Sequence, residues 1–427
     1  MAHRTLSSAY QRLTDRLNRA PQGAPPSELL HGILKMLFSE READLVSLLP
    51  IKPFTAKKAA LAWKMGEDEA AGVLDELAHR AILLDYERPD GVRSYVLPPP
   101  MAGFFEFSLM RVRDDLDQKA LSDLFEQYIT REEDFMRELV GQGGTQMGRA
   151  LVQEPALPED EALHVLDHER ATEVIRTATH IGVAMCYCRH KAMHQGRNCD
   201  APMDICMAFN TPAESLIRHG HIRRIDQAEC LDLLQRAYEH NLVQFSENQQ
   251  KGVSFICNCC GCCCEALTAA RRFALMRPIN TTNYLPEVDA EACTGCGKCA
   301  ALCPVEAMSV VSANDPSDRR RKKARVDEAV CLGCGVCVRP CPKSAITLKP
   351  RGERVIVPKN TVHRAVLMAI ERGKLQHLLF DNQASMTHQA MAAVLGAVLR
   401  LPPVKRATAA KLLNSRYVDA LLARAPQ

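Results

Sequence analysis

The residues able to do chemistry in this chain are cysteines. Nineteen occur among 427 residues, none of them before position 186. Two stretches align without a gap: VDAEACTGCGKCAALCPVEAMSVV, starting at Val288, and VDEAVCLGCGVCVRPCPKSAITLK, starting at Val326. Each contains Cys-x2-Cys-x2-Cys-x3-Cys-Pro, so Cys293 falls on Cys331. Three thiolates in one seven-residue loop can grip a polynuclear metal centre, and Gly295, Gly297, Gly333 and Gly335 let backbone amides approach it. The fourth thiolate must come from elsewhere. Structural zinc sites also use Cys-x2-Cys pairs, but rarely three thiolates in one short run, and not twice in register.

This duplication, residues 288–349, resembles the dicluster ferredoxin family. The resemblance implies two 4Fe-4S clusters, with the last cysteine of each run ligating the other cluster. Carried onto this sequence, one cluster takes Cys293, Cys296, Cys299 and Cys341. The other takes Cys331, Cys334, Cys337 and Cys303. Pro304 and Pro342 turn the chain after each distant ligand. The stretch between the halves is lengthened and carries Arg319, Arg320, Arg321, Lys322 and Lys323. It reads as a solvated loop, or as a surface that steers an acidic redox partner by charge.

A second cysteine field lies upstream, with eleven cysteines in residues 181–287. Cys186, Cys188, Cys199 and Cys206 form a four-thiolate set in one local segment and rank first for a third cluster, with Arg189 and Arg197 to offset its charge. The run CNCCGCCC adds Cys257, Cys259, Cys260 and Cys263 as further ligands. Its adjacent side chains cannot all point at one metal, so some of its six cysteines must be spare, redox-active or bound to another centre. Cys188-x-His190 suggests a Rieske centre, but Phe209 stands where its second histidine would be needed. Zinc and free thiols are the alternatives for this field. Cys230, alone in a helical pattern, reads as a small buried hydrophobe.

The elements that must position these residues suggest an α+β protein, mostly helical. Residues 1–26 read as a leading helix and a Pro-rich linker. In 27–100, SELLHGILKMLF with Ser27 as N-cap is followed by two helices split at Gly66. Two strand-like runs around Pro89-Asp90-Gly91 then predict a hairpin. That order resembles the winged-helix family. Residues 101–180 read as a helical connector whose GQGGTQMG lacks the Lys-Ser/Thr end and the preceding strand of a phosphate loop. Residues 181–287 are expected to be a helical Cys-rich region, 288–349 the dicluster domain and 350–427 a helical C-terminal region broken at Pro402-Pro403.

Composition narrows the function. A net charge of +3, 47% hydrophobic and 25% charged residues are ordinary for a globular chain and give no reason for bulk binding to nucleic acid or anionic membrane. No apolar run reaches membrane-spanning length, and the N-terminus lacks a secretion signal's apolar core; it reads as a simple first helix, with an organelle transit peptide as the alternative. The cysteines are therefore expected to be reduced and the protein cytoplasmic. The expected function is electron transfer between redox partner proteins at low potential, in anaerobic metabolism, by an electron-transfer protein more than a stand-alone enzyme. Two 4Fe-4S clusters and at least one additional iron–sulfur cluster are the expected cofactors. One alternative is a redox-sensing winged-helix regulator. DEAAGVLDELAHR argues against DNA, because a helix entering a groove lined with phosphates should be basic; docking or dimerisation is the better use of that segment. The other alternative is an iron–sulfur reductase with a substrate site near residues 186–264.

Overall fold

A computed structural model describes residues 8–140, 144–162 and 164–399. The helix expected over 400–427, the first seven residues and part of the GQGGTQMG stretch lie outside the described residues. The chain divides into two compact units. One comprises Met1–Thr145, Thr211–Ile222 and Thr361–Gln427; the other comprises Gln146–Asn210 and Arg223–Asn360. Among the described residues no helix is long and apolar enough to cross a membrane.

The first unit opens with α1 (Ala9–Arg19), α2 (Glu28–Leu37), α3 (Glu40–Ser47), α4 (Ala56–Trp63) and α5 (Glu67–His79). Ser27 caps α2 by accepting from the Leu30 amide at 3.1 Å. Leu30, Ile33, Leu34 and Leu37 then line the buried face at helical spacing. After α5 the antiparallel strands β1 (Leu84–Glu87) and β2 (Arg93–Val96) pair Leu84 with Val96. Gly91 turns the hairpin at φ +76°, a conformation that costs a side-chain-bearing residue but not glycine. A bridge between Phe54 and Tyr95 adds a third extended segment. Asp85 on β1 is fully buried, yet bonds to Ser215 at 2.7 Å, Arg218 at 2.7 Å, His219 at 3.0 Å and Arg93. Burial alone would raise its carboxyl, but the hydrogen bonds from His219, Ser215 and Arg93 and the charge of Arg218 hold it well below the usual carboxylate range.

The second unit is organised by β3 (Gly148–Ala150), β4 (Ile181–Met185), β5 (Asp204–Phe209), β6 (Arg223–Arg224), β7 (Val243–Glu247) and β8 (Phe255–Cys259). They form one antiparallel sheet in the order β3-β7-β8-β5-β4-β6. This differs from the helical region expected over 181–287. IGVAM, DICMAF and FICNC are runs rich in strand-forming residues, and the latter two carry cysteines on the face opposite their apolar partners. Because side chains alternate across a strand, Ile181, Val183, Met207, Phe209 and Ile256 face the helices Ala171–Thr177 and Gln227–Glu239. Cys230 lies fully buried in that core. Val243, Phe245 and Cys259 join a different core. Alternation therefore sorts the cysteines of β8 and β5 away from the helical layer.

Candidate metal centres

The duplicated segment adds β9 (Tyr284–Val288), β10 (Met308–Ser312), β11 (Lys322–Val326) and β12 (Ile346–Pro350). The pairing is crosswise. β12, which follows Cys341, runs antiparallel to β9, which precedes Cys293, with Val288 opposite Ile346. β10, which follows Cys303, pairs with β11, which precedes Cys331, with Met308 opposite Val326. Each ladder thus carries the last cysteine of one half to the loop of the other. Cys293, Cys296, Cys299 and Cys341 line a single space of ≈ 350 Å³, part of it open to solvent. Cys303 packs in the same core as Cys331 and Cys334.

The backbone around these sulfurs suits a thiolate-bound cluster. The amides of Ala324 and Ala345 donate to Sγ of Cys293 and Cys341, each at 3.3 Å, and that of Ala307 donates to Sγ of Cys303 at 3.2 Å. Such bonds stabilise sulfur-borne negative charge. Gly333, at φ +71°, leaves no room for a side chain, because an added Cβ would lie 2.1 Å from the Tyr284 carbonyl oxygen. The two sulfur sets differ in exposure: Cys296 is exposed, while Cys331 and Cys337 are buried. Burial raises the Cys331 and Cys334 thiols to about 11 and about 12.

The family described as the 4Fe-4S dicluster domain matches residues 292–345. Residues 292–345 are a 4Fe-4S dicluster domain. No curated protein matches this sequence. The dicluster domain implies two 4Fe-4S clusters, and the cysteine group at 199–263 suggests an additional iron–sulfur site.

Upstream of the dicluster domain the structure regroups the cysteines. Cys199 does not stand with Cys186, Cys188 and Cys206. Its sulfur lies 3.6 Å from that of Cys260, Cys262 and Cys263 are 3.8 Å apart, and all four sulfurs fall within 4.8 Å of one another. Hydrogen bonding with Cys263 draws the Cys260 thiol down to about 5, and burial pushes Cys262 up to about 11.

The remaining six form a closed ring. Cys186 neighbours Cys188 and Cys206, Cys188 also neighbours Cys264, Cys264 neighbours Cys259, Cys259 neighbours Cys257, and Cys257 leads back to Cys206. The direction of the thiol shifts alternates around it. Hydrogen bonds from their neighbours lower Cys186, Cys264 and Cys257, the last to about 6 through Cys206, while Cys188, Cys206 and Cys259 are raised by donating those bonds. Cys262 and Cys264 were missing from the ligands expected from the sequence. The available signal was local. A strand ending at Cys259 sends Cys257 and Cys259 to one face, the turn at Gly261 reverses the chain, and Cys264 becomes the N-cap of the helix Glu265–Arg272.

Charged groups pack around both upstream groups. Arg189 is buried and donates to the carbonyls of Pro202 at 2.9 Å and Asn258 at 2.8 Å. Burial would lower its basicity, but the sulfurs of Cys186, Cys260, Cys206 and Cys259 raise it overall. Lys191 and Glu265 form a buried pair at 2.5 Å, with the Tyr187 hydroxyl also donating to Glu265. Gly261 lies against the dicluster domain: a Cβ there would sit 2.9 Å from Cα of Pro304, the residue after Cys303.

Proposed function

We propose that this chain is a multi-centre electron carrier that passes low-potential electrons between redox partner proteins. The observation that carries the reading is the crosswise ladder, which sets Cys341 on one space with Cys293, Cys296 and Cys299. On this reading those four hold one cluster of the dicluster domain, and Cys331, Cys334, Cys337 and Cys303 hold the other. Cys199, Cys260, Cys262 and Cys263 hold a third centre. Bound clusters supply reversible one-electron storage; the chain supplies position, burial and hydrogen bonds to sulfur, which set potential.

The packing supports a directional path. Cys296 is exposed, and the exposed Lys298 and Lys343 border its cavity, so an acidic partner is favoured at this end. In the second sulfur set Cys331 and Cys337 are buried, and its Cys303 is followed by Pro304 in contact with the turn of the upstream field. In the lengthened loop Arg321 is tied to Asp315 at 2.9 Å and to the Ala290 carbonyl at 2.8 Å. Arg319 and Arg320 remain exposed beside it. The N-terminal helices and hairpin are read as a winged-helix-like docking or dimerisation module. Its α5 begins with Glu67, Asp68 and Glu69, which phosphates would repel. The protein reduced without oxygen should be reoxidised by an acidic one-electron carrier protein at a rate that falls as salt rises. Oxidation coupled to a small-molecule substrate without any partner protein would favour a reductase instead.

A further inference from the structure

We propose that Cys186, Cys188, Cys206, Cys257, Cys259 and Cys264 together hold one iron–sulfur cluster larger than a single cubane, separate from the centre at Cys199, Cys260, Cys262 and Cys263. The ring is closed: each of its cysteines has two others of the six as neighbours, Cys188, Cys257, Cys259 and Cys264 pack in one core, and none of the six belongs to the compact four-sulfur group. A single tetrahedral ion or a cubane takes four thiolates and would leave two of these idle. Thiols are weak hydrogen-bond partners, so a buried ring of six gains little from its own contacts.

Four elements converge to build the ring. Cys206 and Cys257 come from the adjoining strands β5 and β8, which pair at Met207 and Ile256. Cys186 and Cys264 are the N-caps of the helices Tyr187–His194 and Glu265–Arg272, whose positive ends favour thiolates. Arg189 is 1% exposed, its Nε has no hydrogen-bond partner, and its charge acts on three ring sulfurs and on Cys260. A buried cation so placed suits a strongly anionic centre on either side of it. The dipeptides Cys259-Cys260 and Cys263-Cys264 each give one sulfur to the ring and one to the four-sulfur group. Consecutive Cα atoms are about 3.8 Å apart, so the two centres are covalently adjacent.

This inference shares the iron–sulfur reading of the dicluster domain but rests on different ligands, and one experiment separates the two. The full chain and its Cys199→Ala variant are purified without oxygen and analysed for iron, zinc and acid-labile sulfide, with electron paramagnetic resonance reporting the dicluster domain. Cys199→Ala removes the four-sulfur centre, so a cubane pair alone accounts for about eight irons and one further cubane for about twelve. More than twelve irons per chain is the expected result. Twelve or fewer with the dicluster signals intact overturns the larger cluster, and zinc in the place of iron overturns it equally. Absence of the dicluster signals in the wild-type chain defeats the electron-carrier reading instead. Alanine at each of the six ring positions should abolish one common signal and lower iron by more than four, with the dicluster signals as the measure of folding. Native mass of the Cys199→Ala chain, expected to exceed three four-iron clusters, decides the matter for any ring position whose variant does not fold.

Discussion

Replacing Gly333 and Gly297 separately by alanine tests how the ligand loops are held. Both glycines have positive φ, +71° and +79°, so each alanine costs about 1–2 kcal/mol for entering the left-handed region. Their surroundings differ. At Gly297 the nearest atom to an added Cβ is Cγ2 of Val310 at 3.8 Å, an ordinary contact. At Gly333 it is the Tyr284 carbonyl oxygen at 2.1 Å, with Thr282 Oγ1 at 2.3 Å, and backbone must shift. That shift breaks the bonds from the Thr282 hydroxyl to the Gly333 carbonyl, 2.8 Å, and from the Thr282 amide to the Leu332 carbonyl, 3.0 Å. Overpacking adds about 1–3 kcal/mol, so Gly333→Ala should cost roughly 2–5 kcal/mol in all. It should also displace Cys331, Cys334 and Cys337. The readouts are iron and sulfide per chain after oxygen-free purification, and thermal unfolding. Gly297→Ala should keep its iron; Gly333→Ala should lose about four irons and melt earlier. Equal iron and equal melting in the two variants would refute the reasoning.

Cys341→Ala should abolish the same resonance signal as Cys293→Ala and spare that of Cys331→Ala; a signal shared with Cys331→Ala would show that each run binds its own cluster. Asp85→Ala removes the buried acceptor shared by Ser215, Arg93, Arg218 and His219, while Arg93 keeps Asp75 and Arg218 keeps Glu214, and should destabilise the first unit by about 1–3 kcal/mol at neutral pH, measured by chemical denaturation. Because the folded Asp85 carboxyl is held low, its contribution is complete above the unfolded value of about 4 and drains away as pH falls below it. The gap between wild type and variant should therefore shrink in acid, and a constant gap would contradict this. Lys191→Met leaves the Glu265 carboxylate buried without its cation and should cost about 3–5 kcal/mol, most of it recovered in the double variant with Glu265→Gln. A double-variant melting point no higher than that of Lys191→Met would refute the pairing.

The repeat was legible because its chemistry is local: three ligands and their glycines fall within seven residues, so alignment alone exposed both loops. The hairpin around Pro89-Asp90-Gly91 and the Ser27 cap were legible for the same reason. The sheet of the second unit was not. β8 pairs with β5 across almost fifty residues and with β7 across ten to sixteen, and no spacing within the cysteine runs encodes such partners. That long-range pairing also decides which cysteines meet. Proximity in sequence places Cys199 with Cys186, Cys188 and Cys206, yet the turn at Gly261 brings it Cys260, Cys262 and Cys263. Adjacent side chains of CNCCGCCC cannot share one metal, so the run has two destinations; the strand ending at Cys259 and the helix cap at Cys264 decide which residue goes to which.

The most direct test is metal and sulfide analysis of the wild-type chain purified without oxygen, followed by stepwise reduction under electron paramagnetic resonance. An electron carrier built on the dicluster domain should hold at least about eight irons with matching sulfide and show two interacting cluster signals, by the four-iron stoichiometry of each cluster. Zinc bound at Cys293, Cys296, Cys299 and Cys341, with no acid-labile sulfide, would contradict it.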